Sequence, residues 1–289
     1  MNRTAPLDAQ RVSAWVAAAI DEDAAGRDAT VAYLMLGEHP VDAEIRVAQE
    51  TVVSGVELAR ETFRQIDERC RFDAAAVDGE RVPAAGVLAR VHGPARSVVS
   101  AERTALNFLQ RMCGIATHAA RFVAAVAGTG VEILDTRKTT PAWRDLEKYA
   151  VRCGGARNHR HDLGAMVLVK DNHVRALGGR DALFRVLDSV PRAPFVEVEV
   201  DSIPFLRALL ERRVDRVMLD NFSPGEVAQA VRLVQEFRRA HPESRIELEV
   251  SGGVTLETVR SFALPGVDFI SVGALTHSAP AAPMSLEVL

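Results

Sequence analysis

The sequence predicts an α/β protein, a small α+β layer followed by a β/α barrel. Three observations carry this. From residue 131 onward, six short apolar stretches (131–134, 166–169, 195–200, 216–219, 246–250 and 269–272) alternate with helical segments. That is the pattern of parallel strands joined by helical crossovers. None of these strands leads into a Gly-x-Gly-x-x-Gly turn, which favours a barrel over a dinucleotide-binding sheet. Hydrophobic residues make up 48% of the 289 and aromatic ones only 5%, so the core must be built mainly from Ala, Val and Leu, which suits buried parallel strands.

The chain opens with an amphipathic helix, because Leu7, Val12, Trp15, Val16, Ala19 and Ile20 recur at helical spacing; Asp21-Glu22-Asp23 and Gly26 end it. Residues 31–36, led in by Asp28-Ala29-Thr30, read as a strand. Residues 43–48 alternate as a strand does, and 56–66 read as a helix. Asp78-Gly79 signals a hairpin between 72–77 and 87–91. His92-Gly93-Pro94 is expected to break the chain, and Ser97 or Ser100 to cap a helix through Leu106, Leu109 and Met112. Gly114 is expected to interrupt that helix before a second one that ends at Gly128. In the barrel, Thr140-Pro141 reads as an N-cap with proline at N1, and Ser223-Pro224-Gly225-Glu226 as a capping box. Thr255 and Glu257 start another helix, and 284–289 read as a last strand returning to the first domain.

Charge and composition narrow the function. A net charge of −4 argues against a general nucleic-acid binder, so any cationic site is local. Three cysteines (Cys70, Cys113, Cys153), with no C-x-x-C spacing, suggest neither a disulfide framework nor a zinc site. No apolar run approaches the roughly 18 residues of a membrane span. Arg3 is followed by no apolar segment of signal type, so a reducing cytoplasm is expected.

The informative polar residues fall at strand ends, where β/α barrels build active sites. Thr136, Arg137 and Lys138 follow the first barrel strand, and Lys170-Asp171-Asn172-His173 the second. Glu197 and Glu199 lie in the third, Asp220-Asn221 follow the fourth, Ser251-Gly252-Gly253 the fifth and Gly273 the sixth. Arg137 and Lys138 suit carboxylate or phosphate. The glycine turns suit phosphate. Glu199 and Asp220 could hold Mg²⁺, directly or through water. The loop Arg157-Asn158-His159-Arg160 adds further cations and an imidazole. Together these describe a site for a phosphorylated, carboxylated small molecule with a divalent metal. Plainer readings stand beside this one. Lys170 could be a solvated rim lysine, Glu197 a buried salt-bridge partner, Arg157 and His161 surface residues, and Cys113 and Cys153 small apolar fillers.

These residues, with Glu102-Arg103-Thr104-Ala105-Leu106-Asn107, Leu146-Glu147-Lys148-Tyr149 and Ser271-Val272-Gly273-Ala274, closely resemble the quinolinate phosphoribosyltransferase family of type II phosphoribosyltransferases. The resemblance covers most of the chain from Phe72 onward. It implies an N-terminal α/β sandwich over 1–112, joined by the tail 278–289, and an incomplete (open) β/α barrel over 113–277. It also implies that quinolinate and phosphoribosyl pyrophosphate give nicotinate mononucleotide, pyrophosphate and CO₂, with Mg²⁺, in de novo NAD biosynthesis. The expected site comprises Arg103, Thr136, Arg137, Lys138, His159, Arg160, Lys170, Glu199, Asp220, Ser251, Gly252, Gly253 and Gly273. Lys138, Lys170, Glu199 and Asp220 are the expected catalytic set. A homodimer is implied, with Arg103 reaching into the partner's site and hexamers as a further assembly. Arg27-Asp28-Ala29-Thr30, Ser54-Gly55-Val56 and His161-Asp162 depart from the family pattern. The same fold admits a molybdenum-transport-associated paralogue, a nicotinate phosphoribosyltransferase without decarboxylation, or a silent ligand-binding protein. The intact Lys170-Asp171-Asn172-His173 argues against the first, and the full set of cations and carboxylates against the last.

Overall fold

Asp8 accepts the Arg11 N–H at 2.9 Å and starts α1 (Ala9–Glu22), which buries Val12 and Val16 on the predicted face. The computed structural model describes residues 5–189 and 195–289, so Arg3 lies outside the described residues. The next segment corrects the sequence reading. Asp28 accepts the N–H groups of Thr30 and Val31 at 2.9 and 3.0 Å and caps a short helix, α2 (Ala29–Tyr33), where a strand was expected. Tyr33 and Met35 are each 86% exposed, so no sheet contact favours an extended backbone there.

β1 (Pro40–Val47), β2 (Thr51–Val52) and α3 (Val56–Ile66) follow. Then come β3 (Arg71–Ala74), β4 (Arg81–Val82) and β5 (Val87–Pro94). β3 and β5 pair antiparallel as expected, with Phe72 opposite Val91, but no tight turn joins them. β4 leaves to pair with β2, and Asp78 accepts the N–H groups of Gly55 and Val56, both at 3.1 Å, so it satisfies the start of α3. Asp78-Gly79 thus serves a cap and not a hairpin.

His92-Gly93-Pro94 does not break the chain, because these residues complete β5 against Pro40, Val41 and Asp42. The chain then enters α4 (Ala95–Ala125), a single helix of 31 residues. Neither serine caps it: Ser97 donates to Asp67 at 2.7 Å and Ser100 to Asp28 at 3.1 Å. Nor does Gly114 interrupt it. A Cβ there would stand 2.1 Å from the Pro280 carbonyl oxygen, so the glycine admits the C-terminal segment against the helix. Ala282 N–H donates to the Gln110 carbonyl at 2.9 Å in the same crossing.

The second half alternates as predicted, through β6 (Glu132–Leu134), α5 (Arg144–Cys153), β7 (Val167–Val169), α6 (Asp171–Leu177), α7 (Arg180–Ser189) and β8 (Val196–Val200). It continues with α8 (Ile203–Leu210), β9 (Arg216–Asp220), α9 (Pro224–Ala240), β10 (Glu247–Ser251), α10 (Val259–Phe262), β11 (Phe269–Ser271), α11 (Ala274–His277) and β12 (Met284–Val288). The capping box before α9 forms, with Ser223 and Glu226 bonding each other's backbone. Two helix starts shift. Thr140-Pro141 forms a turn and α5 begins at Arg144, because Glu147 accepts both the N–H and the hydroxyl of Thr140. Near Thr255, hydrogen-bonded turns precede α10, whose cap is Thr258.

The chain forms two compact units. One holds the chain through Ala120, Thr139–Gly155 and Leu275–Leu289; the other holds Arg121–Lys138 and Ala156–Ala274. In the first, an antiparallel sheet runs β12-β1-β5-β3, so the tail does return as an edge strand on β1. Its core gathers Ile45, Val47, Phe63, Leu88, Leu106 and Leu109. In the second, six parallel strands run β6-β11-β10-β9-β8-β7. β6 and β7 are successive in the chain yet lie at opposite edges, so the barrel stays open between them among the described residues.

Candidate active site

In β8 the run Val196-Glu197-Val198-Glu199-Val200 alternates at the strand period of two. In-register neighbours share a face, and they align Glu197 with Arg216 and Glu199 with Met218, then Met218 with Glu249 and Asp220 with Ser251. One face of the sheet is therefore largely polar, with the apolar Met218 between Glu199 and Glu249. Its lower layer is closed, with Glu197 and Glu249 at 0% exposure, and its upper layer opens to solvent.

The upper layer gathers the predicted groups. Lys170 Nζ, 45% exposed, lies 2.6 Å from Glu199, whose side chain is 11% exposed. Lys170 is thus an ion-pair partner in the mouth and not an isolated rim lysine. Its backbone N–H donates to His173 Nδ1 at 2.8 Å, so His173 orders the start of α6. Burial raises the pKa of Asp220, and the nearby Glu199 charge raises it further; Asn221, Lys170 and Lys138 work against this. Two carboxylates and two lysines therefore share one electrostatic environment. A hollow of about 460 Å³ opens beside it, lined by Asp171, Arg175, Arg180, Phe205, Glu199 and Asp220.

The loop after β6 supplies the next wall. Asp135 is fully buried and accepts the His159 N–H at 2.8 Å and the Asn158 amide at 2.7 Å. It ties that loop to the 158–160 segment, a role the sequence reading left unassigned. Thr136 Oγ1 accepts the Lys138 N–H at 3.0 Å. Burial lowers the Arg160 pKa, and the like charge of Arg137 lowers it further against Glu197 and Asp162, so the two guanidiniums repel each other. Arg137 Nε is buried and makes no hydrogen bond to the protein. Past Lys138, Thr139 accepts from Arg144 at 3.1 Å and Thr140 is held by Glu147, so both threonines serve local structure.

His159, one of the expected site residues, is packed against the buried carboxylates. It is 8% exposed, and its Nδ1 accepts the Arg160 N–H at 2.7 Å, which leaves that nitrogen without a proton and the ring neutral. Its Nε2 lies 3.1 Å from Glu197 and 3.6 Å from Glu249. Glu197 is fully buried beside this ring. Glu249 went unnoticed, although Glu247-Leu248-Glu249-Val250 repeats the β8 alternation. Arg216 donates to Glu249 at 3.0 Å and to Glu247 at 2.7 Å.

Gly252 has φ 92°, and a Cβ there would lie 2.2 Å from Asn221 Oδ1, so glycine alone fits this close approach. Gly253 (φ 62°) has open space above it, and Gly273 follows β11 at the same end. Arg103 is exposed on α4 in the first unit. Arg157 and His161 are surface residues, with side chains 61% and 52% exposed. Cys113 and Cys153 are buried free thiols. Among the described residues, no helix is long and apolar enough to cross a membrane.

Comparison with known proteins identifies the family. Residues 28–113 match the quinolinate phosphoribosyl transferase N-terminal domain, and residues 115–287 match the C-terminal domain. The nicotinate-nucleotide pyrophosphorylase [carboxylating] of Mycobacterium leprae is 42% identical over 82% of this chain and 82% of its own length. The human protein of that name is 36% identical over 89% of this chain and 85% of its own. The solved nicotinate-nucleotide pyrophosphorylase from Francisella tularensis superposes with a TM-score of 0.86 at 32% identity, covering 100% of both chains.

Proposed function

The chain belongs to the quinolinate phosphoribosyl transferase family, and from that premise we propose how its residues divide the work. The activity is that of a carboxylating nicotinate-nucleotide pyrophosphorylase in de novo NAD biosynthesis. Quinolinate and phosphoribosyl pyrophosphate become nicotinate mononucleotide, pyrophosphate and CO₂. The observation that carries the assignment of roles is that two mutually repelling guanidiniums, Arg137 and Arg160, come from separate loops of the unit that also holds the Lys170–Glu199 ion pair.

Arg137 and Arg160 bind the two carboxylates of quinolinate, a planar fork matching each one. Thr136, Lys138 and Lys170 line the same pocket, and Arg103 of a second subunit completes it in a homodimer. The neutral His159 ring supports Arg160 from below and adds no charge. The ring nitrogen is thereby aimed at C1 of the ribose. As the C1–pyrophosphate bond breaks, Lys138 and Lys170 neutralise the departing oxygens, and Glu199 and Asp220 face the positive charge developing at C1. The 5′-phosphate rests on the N–H groups around Ser251, Gly252, Gly253 and Gly273.

Glu199 and Asp220 also suit a divalent metal. The Glu199 charge raises the Asp220 proton affinity, and with no third acidic, His or Cys ligand grouped with them among the described residues the pair fits Mg²⁺, which takes one or two carboxylates plus water and substrate phosphate. When bound, such an ion would supply charge neutralisation to the pyrophosphate. Once the glycosidic bond exists, the ring nitrogen is cationic. Loss of CO₂ from the neighbouring carbon leaves its electron pair in that electron-poor ring, and the carbon is then protonated. The protein's part is to hold the ring in place and exclude water. Three buried free thiols accord with a cytoplasmic location.

Assaying quinolinate against nicotinate, with pyrophosphate and CO₂ both measured, tests the assignment. Equimolar pyrophosphate and CO₂ from quinolinate alone are expected. Turnover of nicotinate without CO₂ would overturn it.

A further inference from the structure

Below the mouth, three polar side chains meet at a point where the proposed roles use none of them as a ligand contact. His159, Glu197 and Glu249 place their ligand atoms within 4.8 Å of one another, and all three residues are buried. Both Glu197 oxygens, Glu249 Oε1 and His159 Nε2 lack an aligned hydrogen bond to one another or to other protein groups. The cluster could be read as a metal site. However, the Arg216 guanidinium, 3.0 Å from Glu249, already brings a positive charge to it. The hydrogen bonding around the imidazole fits a different role. Because Nδ1 accepts the Arg160 N–H, the ring hydrogen belongs on Nε2, which lies 3.1 Å from Glu197 and 3.6 Å from Glu249.

We propose that Glu197 and Glu249 are positioning residues for the dicarboxylate pocket: their acceptor oxygens, set close to His159 Nε2, favour the proton there over Nδ1, hold the ring in the one tautomer able to accept the Arg160 backbone N–H, and so seat Arg160 beside Arg137. The reverse tautomer would aim a ring N–H at the Arg160 N–H, two donors facing each other at 2.7 Å. A carboxylate can only accept, whereas a glutamine in its place can turn its NH₂ toward Nε2 and favour that reverse tautomer. Two acidic groups thus shape a pocket for an acidic ligand by acting through an imidazole and a backbone amide. Burial pushes both carboxyls up to about 7, Glu249 further helped by the Glu197 charge; even with a proton bound between them, at least one acceptor oxygen remains for Nε2–H.

The inference rests on the assigned role of Arg160, and its test includes a measurement that needs no turnover. The ¹⁵N spectrum of the His159 ring, identified by its loss in His159→Asn, is recorded for the substrate-free protein, Glu249→Gln and the Glu197→Gln/Glu249→Gln double variant. The wild type should show the Nε2–H tautomer, and the double variant a shift toward Nδ1–H. KM for quinolinate should rise about tenfold in the double variant while KM for phosphoribosyl pyrophosphate stays within about twofold. A wild-type ring that is Nδ1–H or doubly protonated overturns the proposal, as does an unchanged quinolinate KM in the double variant. If the double variant fails to fold, the wild-type spectrum and the single variant decide. A correct tautomer in a protein that does not turn over quinolinate would count against the reaction and leave the positioning intact.

Discussion

Replacing Arg137 with methionine separates binding charge from fold stability. Arg137 Nε is buried without a hydrogen bond to the protein, and the guanidinium feels the like charge of Arg160. A buried donor left unbonded costs about 1–3 kcal/mol. Methionine removes that donor and the repulsion and keeps most of the aliphatic stem. Lost packing at the tip offsets part of the gain, so the fold should be unchanged or more stable by up to about 1 kcal/mol, a rise of roughly 0–3 °C in Tm. Catalysis should move the other way. Loss of a charged contact to a substrate carboxylate worth about 2.7 kcal/mol or more lowers kcat/KM at least about a hundredfold. Quinolinate-dependent pyrophosphate release measures the second effect and thermal unfolding the first. Quinolinate should stabilise the wild type and not the variant, while phosphoribosyl pyrophosphate stabilises both. Near-wild-type activity would refute the reasoning. So would a Tm lowered by more than about 5 °C, because the guanidinium would then be a structural element.

Gly114→Ala drives a Cβ into the Pro280 carbonyl, so it should cost about 2–3 kcal/mol and strip hydrogen-exchange protection from 280–288; unfolding within about 0.5 kcal/mol of wild type would contradict this. Burial raises the Glu249 carboxyl to about 7 in the folded protein, above its value of 4.5 in the unfolded chain. Its contribution is therefore fully present below pH 4.5 and lost as pH rises through 7. Over that window the wild type should lose about 1–3 kcal/mol relative to Glu249→Gln, and parallel denaturation curves would exclude it. Chelation by EDTA should abolish turnover and Mg²⁺ restore it, with Asp220→Asn needing more Mg²⁺ for half-activity; full activity in EDTA would remove Glu199 and Asp220 from any metal role. Mixing inactive Arg103→Ala with inactive Lys138→Ala should restore part of the activity if Arg103 enters the partner's site. No restoration despite proven subunit exchange would count against shared sites.

Much of this protein was decided locally and is legible in the chain alone. The six barrel strands stand within a residue or two of where the apolar runs place them, because a short buried run followed by a capped helix has few other ways to fold. The upper layer of the site was readable for the same reason. Thr136–Lys138, Lys170, Glu199, Asp220 and the Gly252-Gly253 turn all fall where parallel strands end, so their meeting follows from topology. The rest depended on contacts that the local pattern does not show. Gly114 reads as a helix breaker until Pro280 lies against it, after which it permits an unbroken helix. Thr140-Pro141 reads as a helix start until Glu147 takes the threonine for itself. Asp78-Gly79 reads as a hairpin until α3 needs a cap. The lower layer shows the limit most clearly. The alternation of Glu247 and Glu249 is visible in the chain, but only tertiary structure brings Glu249, Glu197 and His159 together and sets the imidazole Nδ1 to accept the Arg160 N–H. A proton's position is set by which acceptors surround a nitrogen, and that neighbourhood exists only once β8, β10 and the 158–160 loop have met.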